Sequence, residues 1–196
     1  MRKSILISVI AVLFSVSIYG QENRISLGAG YPINLTNHWL VDKWEKPISF
    51  DLKFIHSKNH LTIGGGLSYA KYDISWFRYY NSEKNTISNL NPYLLVGLNM
   101  DKRIVSVMPL LYFGYSSLLT DVEIYNGGKG GFYSAVGFVC NFKITEKIQL
   151  GIGVNYNIIF NKLDFEYEGM IHYDFTTTED DVMKSLSLNL NLAYKL

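Results

Sequence analysis

Residues 185–196 read SLSLNLNLAYKL, in which Leu186, Leu188, Leu190, Leu192, Tyr194 and Leu196 alternate with Ser185, Ser187, Asn189, Asn191, Ala193 and Lys195. A strict period of two describes a strand with one apolar and one polar face. Residues 148–158, IQLGIGVNYNI, repeat the pattern: Ile148, Leu150, Ile152, Val154, Tyr156 and Ile158 oppose Gln149, Gly151, Gly153, Asn155 and Asn157. Both stretches are about as long as a tilted strand needs to cross a bilayer, roughly 9 to 11 residues. The fold they predict is all-β, an eight-stranded antiparallel up-and-down transmembrane barrel.

Five further stretches carry the same period, and a sixth completes the set of eight without it. Residues 24–31 put Ile25, Leu27, Ala29 and Tyr31 on one face, and residues 48–55 set Ile48, Phe50, Leu52 and Phe54 against Ser49, Asp51 and Lys53. Residues 61–72 alternate Leu61, Ile63, Gly65, Leu67 and Tyr69 with Thr62, Gly64, Gly66 and Ser68. Residues 91–100 put Leu94, Val96, Leu98 and Met100 outward, and residues 131–142 do the same with Phe132, Val136, Phe138, Cys140 and Phe142. Residues 104–115 are apolar on both parities, so their faces are not assignable from sequence. Pro109 within them removes a ladder donor, for which a local bulge is the expected accommodation.

The connections alternate long and short, with short ones of four or five residues. That is the arrangement of bacterial single-chain barrels, with short periplasmic turns, long external loops and both termini on the periplasmic side. The consistently apolar parity then faces lipid. A soluble periplasmic binding barrel would reverse this, with an apolar lumen and a polar exterior. Residues 1–20, with Arg2 and Lys3 ahead of the apolar run ILISVIAVLFSV and Gly20 before Gln21, have the parts of a cleaved signal peptide. The barrel domain is expected over residues 21–196, with the bacterial outer membrane as its location.

Without residues 1–20 the basic residues fall from 18 to 16 against 17 acids, a formal charge of −1, so charge gives no case for nucleic-acid binding. Cys140 is the only cysteine, which excludes an internal disulfide and a thiolate metal cluster; on its apolar parity it serves as a small hydrophobe. Asp51, Lys53, Arg24, Gln149, Asn155 and Asn189 on the inner parity would plug an eight-stranded lumen, which is only wide enough for its own side chains to fill. No cofactor is expected.

These residues resemble the small eight-stranded outer-membrane proteins of the OmpA and OmpX barrel type, over essentially all of residues 21–196. The resemblance rests on the export signal, the eight amphipathic strands and a C-terminal strand like the one read by the barrel assembly machinery. Here that strand ends Tyr194-Lys195-Leu196, where the family usually ends in an aromatic residue. The resemblance implies a bilayer and lipopolysaccharide environment and specifies no activity.

Chemistry is sparse. Lipid-modifying barrels that resemble this one carry Ser, His and an acid at the membrane boundary. The nearest text is Ile171-His172-Tyr173-Asp174, with Ser185 at the foot of the last strand, and Asp174 stands where such an enzyme would place its Ser. His38, His56 and His60 read as solvated loop or turn residues. The acidic run Asp164, Glu166, Glu168, Asp174, Glu179, Asp180 and Asp181 matches no compact calcium loop. Interfacial girdles account for Trp39, Trp44, Tyr112 and Tyr115. Trp76, Phe77, Tyr79 and Tyr80, and likewise Tyr167, Ile171 and Tyr173, lie beyond the expected bilayer, where the alternation runs on as Tyr72, Ile74, Trp76, Arg78 and Tyr80 and as Phe165, Tyr167, Gly169, Ile171, Tyr173 and Phe175. They are the candidate contacts for a surface partner, on protruding hairpins. The expected protein is therefore a non-enzymatic barrel with a structural or surface-interaction role, a lipid-modifying enzyme around His172 being the alternative.

Overall fold

The computed structural model describes residues 22–35, 44–74, 86–121, 130–162 and 180–196. Residues 1–21, including the expected signal peptide, lie outside these. The described residues form strands β1 (Glu22–Asn34), β2 (Trp44–Lys58), β3 (Leu61–Ile74) and β4 (Thr86–Leu98, with a tail at Met100–Asp101). They continue as β5 (Val105–Asp121), β6 (Gly130–Lys143), β7 (Ile148–Lys162) and β8 (Asp180–Lys195). Every consecutive pair is antiparallel, and β1 pairs with β8 from Arg24↔Lys195 to Asn34↔Ser185, which closes the sheet.

Following the register once round the wall fixes the geometry. Arg24 lies opposite Ile55, then come Gly64, Leu95, Tyr112, Ala135, Asn157 and Ser185, and Ser185 lies opposite Asn34. The walk begins at Arg24 and returns to β1 at Asn34, a stagger of ten residues. Ten residues at about 3.3 Å against eight strand spacings of about 4.8 Å give a strand tilt of about 40°.

The apolar parity faces outward on every strand. Leu94, Leu190, Val136 and Ile152 are 72%, 62%, 58% and 54% exposed. Such a surface is incompatible with a water-soluble barrel and fits a lipid-facing band. Tyr31, Tyr115, Phe132 and Phe160 ring this band near the long connections, and Tyr194 stands near the short turns.

Three sequence expectations change. The strands are longer than the bilayer text suggested: β4 begins at Thr86, β5 runs to Asp121 and β8 starts at Asp180. Their ladders continue through polar residues, as in Asp73↔Thr86 and Lys162↔Asp180, because backbone pairing above a bilayer needs no apolar face. Pro109 makes no bulge. The β4–β5 register is the same on either side of it, at Gly97↔Leu110 and Met100↔Val107, with only the pairs between them missing. The register shift falls instead between Glu45 and Ile48, beside Pro47. Third, β5 resolves its faces: Met108, Leu110 and Tyr112 point inward and Leu111, Phe113 and Tyr115 outward. Tyr112 is therefore a lumen residue at 1% exposure, not part of an interfacial girdle.

The short connections are tighter than four or five residues in two cases, one of them Lys102-Arg103-Ile104 between β4 and β5. Asn59-His60 alone joins β2 to β3, with Asn59 at φ 56°, a left-handed conformation Asn tolerates. In the β6–β7 turn, the Thr145 Oγ1 accepts from the backbone N–H of Lys147 (3.2 Å) and Ile148 (2.9 Å).

Candidate functional site

The lumen is built in layers, because inward residues of neighbouring strands meet at matching heights. Nearest the short turns, Arg24 is 1% exposed and donates from Nη1 to Gln149 Oε1 (3.1 Å) and from Nη2 to Glu22 Oε2 (2.9 Å). Lys195 Nζ lies 2.6 Å from the other Glu22 oxygen, so one carboxylate ties β1 to β8 at their seam.

Above Arg24 comes a layer that sequence parity did not disclose. Ile55, Leu95, Met108, Leu110 and Val139 are all buried in one cluster inside the barrel. The space left among Arg24, Lys53, Ile55, Leu110 and Asn191 is about 10 Å³, no more than one water needs.

At mid-height, Lys53 is 2% exposed and lies 2.8 Å from Asp51 Oδ2. Tyr93 donates its hydroxyl proton to Asp51 Oδ1. The Lys53 ammonium also stands 5.9 Å from the Tyr112 ring centroid, and Tyr112 meets Tyr93 edge to face at 5.2 Å. Every strong charge of this layer is thus compensated by a neighbour, as burial requires.

Toward the long connections the lumen becomes an amide and hydroxyl lattice. Tyr133 donates to Asn157 Oδ1 (3.1 Å), and Asn157 Nδ2 donates to Ser185 Oγ (3.2 Å) and Ser187 Oγ (2.8 Å). A polar cavity of about 40 Å³ lies here between Asp51, Tyr93, Asn155 and Ser187, room for two or three waters. The expected inner residues Arg24, Asp51, Lys53, Gln149, Asn155 and Asn189 are all in the lumen. What sequence reading missed is that Tyr93, Tyr112, Tyr133 and the apolar layer share the filling.

The candidate partner contacts Trp76, Phe77, Tyr79, Tyr80, Tyr167, Ile171 and Tyr173 lie outside the described residues, as do His38, His172 and Asp174. What is described is their support. β3 and β4 pair up to Asp73↔Thr86, and β7 and β8 up to Lys162↔Asp180, so residues 75–85 and 163–179 each spring from a paired strand end. Ser185 points into the lumen, buried and bonded to Asn157. His56 is not a solvated turn residue: it lies within β2, is 7% exposed, and its Nδ1 is 2.8 Å from Asn23 Oδ1. His60 is in the short turn, as expected. Among the described residues, no three of His, Cys, Asp and Glu come together as metal ligands would.

No protein-family model matches the chain, and no curated protein matches its sequence. Solved structures do match. Neisserial surface protein A aligns over 91% of this chain and 98% of its own, at 13% identity and a TM-score of 0.60. Ail, the attachment invasion locus protein of Yersinia pestis, covers 91% and 100% at 14% identity and TM-score 0.57. A major outer membrane protein from Thermus thermophilus covers the same shares at 14% identity and TM-score 0.55. By fold, the chain is a small eight-stranded β-barrel of the outer-membrane type.

Proposed function

We propose that this is a non-enzymatic protein of the bacterial outer membrane, exported by the segment 1–20, that acts at the cell surface through its long connections. The observation that carries the reading is the division of the barrel's own surface. The wall is committed to lipid, and the lumen is filled near its short-turn end down to a space of about 10 Å³. What is left for recognition is the end where the paired strands pass the apolar band, up to Asp73↔Thr86 and Lys162↔Asp180, and where residues 75–85 and 163–179 connect them. There Trp76, Phe77, Tyr79, Tyr80, Tyr167, Ile171 and Tyr173 supply the large, rigid side chains that dominate protein interfaces, and the strand ends offer backbone edges to an added strand.

The charge of the longest connection narrows the partner. Residues 163–179 carry five acids and no Lys or Arg, so a cationic protein surface suits them. Ail has been crystallised with the heparin analogue sucrose octasulfate, a polyanion that this acidic segment would repel. Lipid and lipopolysaccharide surround the wall, and the barrel assembly machinery is the partner during insertion.

The test replaces residues 75–85 and 163–179 by short Gly-Ser links and compares cells carrying either form for binding of a labelled oligo-lysine peptide and for cell-to-cell adhesion. The shortened barrel should still insert and keep its altered gel mobility before boiling, while losing both surface activities. If it fails to assemble, those segments belong to the fold and the recognition reading loses its support.

A further inference from the structure

The short-turn end carries an excess of positive charge. Six Lys and Arg (Lys58, Lys102, Arg103, Lys143, Lys147, Lys195) stand there against three acids, Glu22, Asp101 and Glu146. Two of the cations are neutralised: Lys143 Nζ lies 2.8 Å from Asp101 and Lys195 Nζ 2.6 Å from Glu22. Lys102 and Arg103 make no ion pair among the described residues, and both are exposed. Lys147 faces the Tyr194 ring at 5.9 Å rather than an acid. Glu146 is the remaining acidic side chain nearby.

The two turns that hold these cations are braced against each other. The Lys143 N–H donates to the Ile104 carbonyl (2.9 Å), and Lys143 Nζ donates to the Lys102 carbonyl (3.1 Å). The Lys102 N–H closes its own turn on Val105 O at 2.9 Å. Beside the cations, Ile104 and Ile144 are 66% and 63% exposed, although they sit on turns. Ile144 continues the outward row of Phe138 and Phe142. Cations with unburied isoleucines at the edge of a lipid-facing band are the composition of a headgroup-level contact, with apolar groups for the acyl boundary and ammonium or guanidinium groups for phosphate.

We propose that turns 102–104 and 144–147 form a binding site for the phosphodiester headgroup of an anionic phospholipid. Lys102, Arg103 and Lys147 take the phosphate, and Ile104 and Ile144 enter the acyl boundary. In single-chain barrels short turns face the periplasm, so the lipid comes from the leaflet on that side. The site is independent of the surface role proposed for the long connections, since the two lie at opposite ends of the wall.

The experiment uses the whole folded protein in detergent, challenged with phosphatidylglycerol or phosphatidylcholine of matched acyl chains, with retained lipid read by native mass spectrometry. Phosphatidylglycerol should be retained in preference, with about a fivefold loss for each of K102Q, R103Q and K147Q and a loss on raising salt. I104S with I144S should lower retention of both lipids. Equal retention of the two lipids by the unaltered protein, or a preference that survives all three cation replacements, overturns the proposal. So does cosedimentation with isolated peptidoglycan that needs these cations while no lipid preference is seen, since the rim would then serve the cell wall. The altered gel mobility of each variant before boiling establishes that it is folded, and the salt titration needs no variant.

Discussion

Lys53 and Asp51 sit two residues apart on β2, both point into the lumen, and their charged atoms meet at 2.8 Å. In a strand, residues i and i+2 share a face, so the text Asp51-Leu52-Lys53 places an ion pair inside and a leucine in lipid with three consecutive residues. Because Lys53 is 2% exposed, the pair is a matched burial of two charges and not a surface salt bridge.

Removing one partner should therefore cost far more than removing both. Asp51→Asn leaves the buried ammonium uncompensated and should destabilise the barrel by about 3 to 5 kcal/mol. Asp51→Leu combined with Lys53→Met should be close to neutral. Urea titration of the folded barrel in micelles, followed by gel mobility, measures both. A double variant as unstable as the single one would show that Tyr93, which donates to Asp51, depends on that carboxylate more than Lys53 does.

The face assignment predicts a second contrast, in β8. Leu190 is 62% exposed, lies midway along the ladder to β1 opposite Ala29, and pairs with Ile152 on β7. Leu190→Arg should cost about 2 to 4 kcal/mol in lipid. The neighbouring Asn189 is buried in the lumen, and Asn189→Ser should be nearly silent. Folding into lipid vesicles under denaturant titration would give equal or reversed effects if the faces were interchanged.

The parity of β8, β7 and β1 was legible in the sequence because one face is apolar and the other is Ser, Asn or Gly without exception near the middle. β5 was illegible for a physical reason: Met108 and Leu110 pack into an apolar cluster inside the lumen, so both faces of that strand are apolar and the period of two vanishes. His56 was misread because it sits just before the turn Asn59-His60, where composition resembles a loop although the strand continues to Lys58. The upper strand ends at Thr86 and Asp180 escaped notice because above the apolar band hydrogen bonding continues while the hydrophobic signal stops. The candidate partner residues were legible only as alternation, which states a shape and names no ligand.

Two adjacent glycines on β3 should respond unequally to a methyl group. A Cβ at Gly64 would stand 2.2 Å from the Phe54 carbonyl oxygen, a backbone atom that cannot move aside without disturbing the β2–β3 ladder. At Gly65 the nearest neighbours would be the Tyr93 carbonyl oxygen at 3.1 Å and the Leu94 side chain at 3.5 Å. Gly64→Ala should cost about 1 to 3 kcal/mol by overpacking, and Gly65→Ala clearly less. Comparing the two denaturation midpoints checks it, and a Gly64→Ala barrel as stable as the parent would mean that β2 and β3 can separate at this height.

The filled lumen makes a last prediction about permeation. An ion passing down the barrel would leave the polar cavity near Asn155 and Ser187, pass the Asp51–Lys53 pair, and then meet Ile55, Leu95, Met108, Leu110 and Val139. Those side chains, packed with Ser26, Asn141 and Asn191, leave a space of only about 10 Å³, too small to pass a hydrated ion. The parent protein in a planar bilayer should show no steady conductance. Met108→Ala with Leu110→Ala removes the two side chains that β5 contributes to the layer, at a cost of about 2 to 5 kcal/mol each in stability, and should join the upper cavity to the space beside Arg24. Small steps of conductance should then appear. Lys53→Met with Asp51→Leu, which leaves the apolar layer whole, should stay silent. A conducting parent, or conductance that follows the ion pair and not Leu110, would locate the barrier at Asp51 and Lys53 instead.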